Sequence, residues 1–234
     1  MKLVFLNVWH GGVWNNLQKF VQEEKDSTDL FCFTEVDPSL HTQLLEILSD
    51  FNSVYDEILE TKYLNGGMDG QSVFIKKGIN LINVQKKLIF DISSDDAGIM
   101  QVVEVGVDNK RITVGSVHGM ARPGEKLDTP ERLSQSQKIL DVFKNISGPK
   151  VIGGDFNLLP ETESVAVFEG AGYTNLIKKF SIKNTRNRLS WERFENIQYY
   201  ADYCFVSKDI KVEGFEVPNL EVSDHQPLVL TIDF

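Results

Sequence analysis

"KVIGGDFNLLP", residues 150–160, opens as a buried apolar strand and breaks off at a carboxylate and an amide. In an extended segment residues two apart share a face, so Asp155 and Asn157 point together while Phe156 turns into the core. The paired glycines before them let the backbone come close to something. A charged Asp costs several kcal/mol to bury unless it is paired or bound to metal. The strand therefore ends either in a satisfied turn or in a working site.

Outward from this stretch the same pattern recurs. Asn7 ends "KLVFLN", Glu35 follows "LFCFT", His118 follows "RITVGSV", Asp202 interrupts "YYADYCFVS", and Asp224 with His225 precedes "PLVLTIDF". Taken singly, each has a bland reading. An Asp-His before Pro is more often a turn, Asn7 a strand-ending hydrogen bonder, and Glu35 equally an ion-pair partner. Their joint occurrence at strand ends points to a shared cleft. Carboxylate and amide oxygens suit a hard cation such as Mg²⁺ or Mn²⁺, which commonly binds a substrate phosphate as well. His225 with an acid partner has the make-up of a general base. No CxxC, HExxH, GxSxG or P-loop occurs, so zinc, acyl-enzyme and nucleoside-triphosphatase chemistries lack their motifs. The residues read as metal-assisted attack of water on a phosphate ester.

The connecting pattern supports stacked sheets with helices outside. Residues 14–25 have helical spacing, with Trp14, Leu17, Phe20 and Val21 on one face. Asp37 with Pro38, and Thr129 with Pro130, are helix-start signals, the second expected to bury Leu133, Leu140 and Phe143. From about 53 to 118 the chain alternates as strands, with Asp108-Asn109 as a hairpin turn, and a short helix is expected near 162–170. No linker or repeat divides residues 1–234, which read as one domain.

Composition narrows the partners. Thirty-four acids against 24 bases, net −10, disfavour a protein that coats a duplex through many phosphates. They do not exclude an enzyme that holds one phosphate through a metal. No apolar run approaches the ~18 residues of a membrane span, and the apolar stretch before Asn7 is too short for a secretory signal. Cys32 and Cys204 lie in strand-like runs and read as buried free thiols of a reducing cytoplasm, a disulfide between them being the alternative.

"FLNVWH", "FTEVD", "SVHG", "GGDFN", "ADYCFVS" and "SDHQP", in this order over nearly the whole chain, resemble the endonuclease/exonuclease/phosphatase superfamily related to deoxyribonuclease I. The resemblance implies an α/β fold, a four-layer α/β/β/α sandwich with the site at one end of the paired sheets. It implies Glu35 as the metal carboxylate, Asn7 beside the metal and its waters, and Asp224 as a second metal-side carboxylate. Asp155 would position the nucleophilic water or protonate the leaving group, and Asn157 would orient the phosphate. His225 would act at the scissile phosphate with Asp202 orienting it, and His118 beside it. Three positions depart from the nuclease branches: Trp9 stands where an Asp is common, Thr34 where Gln is common, and His118 where the abasic-site branch has Tyr. These weaken a DNA-repair assignment and leave the core chemistry intact.

Two loops are expected to carry specificity. The segment after His118 contains Arg122, Lys126 and Arg132, and "KNTRNRLSWERF" contains Lys183, Arg186, Arg188 and Arg193 with Trp191 and Phe194. Basic residues interleaved with aromatics can hold a phosphorylated, stackable substrate; the alternative is a solvated loop. Arg186, Arg132 and the wall residue Trp9 are the expected substrate contacts. The reading is a cytoplasmic, monomeric, Mg²⁺-dependent (or Mn²⁺-dependent) phosphodiesterase or phosphatase on a soluble phosphate ester. The alternative is an endonuclease or exonuclease on DNA or RNA. A sphingomyelinase-like lipid phosphodiesterase and a non-catalytic binding module rank below both, and no membrane partner is expected.

Overall fold

A computed structural model describes residues 1–60, 68–90, 98–192 and 197–234; Arg193 and Phe194 lie outside the described residues. The first half runs β1 (Lys2–Asn7), a 3₁₀ turn (Trp9–Gly11), α1 (Trp14–Glu24), β2 (Leu30–Thr34), α2 (Pro38–Ile47), β3 (Phe51–Glu60) and β4 (Met68–Lys76). The middle contains β5 (Asn80–Leu88), β6 (Ile99–Val107), β7 (Lys110–His118), α3 (Pro130–Lys144), β8 (Lys150–Asp155) and α4 (Glu163–Gly170). The remainder is β9 (Thr174–Asn175), α5 (Leu176–Lys179), α6 (Arg188–Trp191), β10 (Asp202–Val206), β11 (Lys211–Glu216) and β12 (Leu228–Asp233). The short helices α5 and α6 carry too little periodicity to be read from sequence.

The helix starts form as the residue types require. Asp37 accepts the Leu40 N–H and Thr129 the Arg132 N–H, each followed by Pro at the first helical position. In α3, however, Leu133 is only half-buried and Arg132 is wholly buried. Asp108 and Asn109 both take positive φ, the backbone of a tight hairpin turn between β6 and β7.

The described strands form two six-stranded sheets, ordered β11-β12-β1-β2-β4-β3 and β5-β6-β7-β8-β10-β9. Each repeats one plan: a parallel central pair, β1 with β2 or β7 with β8, flanked by antiparallel neighbours. The sheets face each other and helices cover their outer faces, giving the α/β/β/α sandwich. Alternate residues of β1 show the layering. Leu3 and Phe5 join the inter-sheet core, while Val4 and Leu6 pack under α1 and α2 with Leu17, Phe20 and Leu44. Each such side chain contributes roughly 2–3 kcal/mol through burial. The glycines of "GGDFN" serve this packing. A Cβ on Gly153 would lie 2.9 Å from the Phe5 ring of the facing sheet, and one on Gly154 would lie 2.3 Å from the Val117 carbonyl. Cys32 and Cys204 are both free and buried in the same core. No described helix is long and apolar enough to cross a membrane.

This topology positions the site. Parallel strands β1, β2, β7 and β8 finish at one end of the sandwich, where the antiparallel strands β4, β10 and β12 begin. Asn7, Glu35, Asp69, His118, Asp155, Asp202 and the Asp224-His225 pair all sit at that end because these inner strands of the two sheets stop or start there.

Candidate active site

Register brings the residues of the second sheet into line. Asp155 on β8 lies opposite His118 on β7 and opposite Asp202 on β10. His225 arrives from the other sheet, in the turn before β12. Its Nδ1 lies 2.9 and 3.0 Å from the two Asp202 oxygens, and its Nε2 lies 3.8 Å from Asp155 Oδ2. An isolated bridge between Arg186 and His225 and the bond from Gln226 N–H to Thr185 carbonyl (2.7 Å) stitch the 183–191 loop to this turn. Asn187 adds a bond from Nδ2 to the Ser223 carbonyl at 2.7 Å.

Asn7 joins the two sheets. Its Nδ2 donates to Glu35 Oε1 at 2.8 Å and to Asp155 Oδ2 at 3.0 Å, and its Oδ1 accepts the Trp9 N–H at 3.0 Å. Asn7 therefore spaces two carboxylates, and its oxygen, expected near a metal, is turned away from them. Without such a donor the two anions would repel at this range.

The electrostatics follow from burial and charge. Burial alone would pull the His225 imidazolium down, but Asp202, Asp155 and Asp224 outweigh it and push its pKa up to about 9. Burial raises the Asp155 carboxyl, yet His225, Lys126, His118 and the Asn7 hydrogen bond together hold it below the usual carboxylate range. At neutral pH this geometry favours an imidazolium facing a carboxylate.

A second group lies on the other side of Asp155. Ligand atoms of Glu35, His118 and Asp155 all fall within 4.8 Å of one another, and so do those of Asp155, Asp202 and His225. His118 Nε2 is 3.7 Å and His10 Nε2 3.5 Å from the Glu35 carboxylate. The buried Nδ1 atoms of both histidines lack a hydrogen-bond partner. The first donor set, two carboxylates and an imidazole with orphaned nitrogen nearby, could hold a divalent metal ion. The Glu35 side chain is 23% exposed, so this side of the cleft opens to solvent.

Backbone strain concentrates at this end. Of eight described non-glycine residues with positive φ, five are Trp9, His10, Glu35, Lys126 and Asn157. Each such conformation costs on the order of 1 kcal/mol or more and persists where surrounding contacts over-determine it.

Several expectations need correction or completion. Arg132 is fully buried, and its guanidinium donates to the carbonyls of Leu127 (2.7 Å), Pro123 (2.5 Å) and Met120 (3.3 Å). It braces a loop from inside and has no face for substrate. Asp224 stays outside the Glu35 group, 3.3 Å from Arg186 Nη2, so the expected metal carboxylate and the expected substrate arginine face each other. Trp9 is half-buried, with its ring packed where a Cβ on Gly12 would stand. Asn157 is fastened by its N–H to Asp155 Oδ1 (2.8 Å) and by Nδ2 to the Gly119 carbonyl (3.1 Å).

Sequence reasoning missed Asp69 at the start of β4. It is buried, accepts the Gly70 N–H at 2.6 Å, and burial pushes its carboxyl up, with His118 opposing and Glu35 adding to the shift. The same signal was available, since it too is an acid at a strand end.

The profile of the Endonuclease/Exonuclease/phosphatase family matches residues 4–225. The chain belongs to this family. No curated protein matches the chain. Among solved structures, an endonuclease/exonuclease/phosphatase family protein from Leptotrichia buccalis is 18% identical with a TM-score of 0.78, covering 100% of both chains. The human Nocturnin catalytic domain with bound sulfate is 19% identical, TM-score 0.74, covering 100% of this chain and 93% of that one. A mannosyl-6-phosphatase from Bacteroides thetaiotaomicron is 14% identical, TM-score 0.75, covering 100% of both. At these identities the likeness is one of fold, the deoxyribonuclease I-like sandwich. Family membership supports a phosphoesterase or nuclease in general.

Proposed function

We propose that this family member is a Mg²⁺- or Mn²⁺-dependent phosphoesterase that hydrolyses an ester of a soluble phosphate compound by attack of water. The observation that carries the reading is the buried Asp155–His225–Asp202 group standing against the Glu35–His118 side of the same cleft. Glu35, His118 and Asp155 would hold the cation, which when bound neutralises phosphate charge and acidifies water. Asp155, kept ionised, orients the attacking water in line and accepts its proton as the new P–O bond forms, while the ester P–O bond opposite breaks and the leaving oxygen takes a proton from solvent. His225, kept protonated by its carboxylate neighbours, donates from Nε2 to a phosphate oxygen as negative charge builds there. Asp202 holds the ring through Nδ1 in the orientation that aims Nε2 outward. Buried free thiols are consistent with a reducing compartment such as the cytoplasm.

A small substrate is favoured over a polymer because three arginines of these segments are buried or ion-paired rather than spread along the surface. Arg132 is internal, Arg186 faces Asp224, and Arg188 is held by Glu192 (2.5 Å) and Glu221 (3.0 Å). Few cations remain to follow a phosphodiester backbone. A nuclease reading is second, and zebrafish (D. rerio) TDP2 complexed with single-strand DNA product shares the fold at TM-score 0.77 and 13% identity over 100% of this chain and 99% of that one.

The test is kcat/KM on phosphomonoesters, small phosphodiesters and single- and double-stranded oligonucleotides at one salt concentration, with Mg²⁺, Mn²⁺ or chelator. Small esters should lead and chelator should abolish turnover. An advantage of about a hundredfold for oligonucleotides, roughly 2.7 kcal/mol of transition-state stabilisation, would install the nuclease reading instead.

A further inference from the structure

The segment between His118 and α3 is an inward-folded loop. Arg132 grips three of its carbonyls from below, and Gln135 Oε1 accepts the Met120 N–H at 2.8 Å. At its far end Asp128 accepts the N–H groups of Glu163 (2.7 Å) and Ser164 (2.9 Å) at the start of α4. Between these anchors the Lys126 carbonyl accepts the Leu159 N–H at 2.9 Å, and Lys126 itself takes φ of +58°. A left-handed backbone at a lysine is uncommon and has to be held by its surroundings. Here it turns the side chain inward.

The consequence is a buried ammonium. Lys126 is 6% exposed, and its Nζ donates to Asn157 Oδ1. Among the described residues it makes no ion pair, although the Asp155 and Asp202 carboxylates and the Arg186 and Arg132 guanidiniums contribute to its field. An ammonium has three donors, and one is used. Two unmade hydrogen bonds on a buried charge are costly, whereas a methionine of similar length would pack here without that cost. Arg186, also nine-tenths buried, has an Nε without a partner. Two under-used cations thus flank the carboxylate–imidazole group, which is the arrangement an anionic ligand would complete.

We propose that Lys126 is a catalytic residue whose ammonium, pivoted on Asn157, binds a non-bridging oxygen of the substrate's phosphate. The proposal rests on the phosphoesterase reading for its substrate and on the loop geometry for its residue. Lysine suits the role because its compact charge can rotate two free donors toward phosphate oxygens while the third keeps Asn157. Arg132, expected to meet substrate, acts instead by shaping the loop that delivers Lys126.

The test compares wild type with Lys126→Met and Lys126→Gln. The glutamine keeps a neutral donor for Asn157 and removes the charge. Three quantities are read: kcat/KM on the best small ester, the Kd of inorganic phosphate by calorimetry with Mg²⁺ present, and Tm. Both variants should lose about a hundredfold in kcat/KM and at least tenfold in phosphate affinity, with Tm unchanged or raised. If Lys126→Gln matches wild type in turnover and phosphate affinity, Lys126 is only a strut for Asn157 and the proposal fails. If Lys126→Met does not fold, Lys126→Gln decides alone. A wild type that binds no phosphate also overturns it. A wild type that hydrolyses no ester, yet binds phosphate tenfold more tightly than Lys126→Gln, overturns the phosphoesterase reading and leaves Lys126 as an anion ligand.

Discussion

Asp155 and Asp202 stand directly opposite each other on antiparallel β8 and β10, and one imidazole from the other sheet reaches both. Two buried carboxylates facing across a strand pair repel unless a cation lies between them. The neighbouring carboxylates raise the His225 pKa to about 9, which suits it to that place, so the two sheets are tied at the site by the same contact proposed to work in catalysis.

The coupling predicts non-additive kinetics. Asp202→Asn alone and His225→Ala alone should each lower kcat by orders of magnitude. The double variant should be little worse than His225→Ala, as for residues that act as one unit. Cleanly multiplicative losses in steady-state kinetics would show two independent roles.

Glu35 is predicted to govern the metal. Glu35→Gln removes one negative oxygen while leaving an acceptor for Asn7 Nδ2. Calorimetric Mn²⁺ affinity should fall at least tenfold and turnover by two or more orders of magnitude, with Tm near wild type. Undiminished metal affinity in this variant would move the ion elsewhere.

The pH dependence of stability in metal-free protein follows from two opposite shifts. His225 rises from 6.5 to about 9 on folding, so its stabilisation is complete below 6.5 and is lost as pH climbs through 9. Lys126 drops from 10.5 to about 8, so its penalty is full below 8 and disappears by about 10.5. Urea unfolding should show the gap between wild type and His225→Gln, an upper bound of about 3 kcal/mol, closing between pH 6.5 and 9. The gap between wild type and Lys126→Met should change in wild type's favour between pH 8 and 10.5. A flat His225 difference over that range would mean that the ring is neutral in the folded protein.

The two arginines should separate. Arg132→Met leaves three loop carbonyls without their donor and should cost about 3 kcal/mol of stability, seen as a lower urea midpoint, with activity lost through the loop. Arg186→Ala should raise KM on the small ester and also cost roughly 1–3 kcal/mol, because Asp224 loses its buried partner. An Arg132→Met protein as stable as wild type would show that the loop is held by its other anchors.

Much of this was legible in order along the chain. Strand cores such as "FLN", "LFCFT" and "VIGGD" announce themselves by apolar runs that end in polar residues, and the helix starts by Asp37-Pro38 and Thr129-Pro130. These local signals pointed to stacked sheets with helices outside, the order of the motifs to the family and its four-layer sandwich, and together they singled out Glu35, His118, Asp155, Asp202 and His225 as candidates. Which of them meet was decided only by tertiary structure, because β-sheet register and the packing of two sheets join residues more than a hundred positions apart. Asn7 lies 148 positions from Asp155 and bonds to it. The roles of the cations were decided there too. Lys126 in the loop and Arg132 in the first turn of α3 carry the same formal charge, yet the arginine is turned onto backbone carbonyls and the lysine toward Asn157. Charge is a property of the residue; the direction in which it is aimed depends on the loop's anchors at Gln135, Leu159 and the start of α4, and those anchors exist only once the chain has folded.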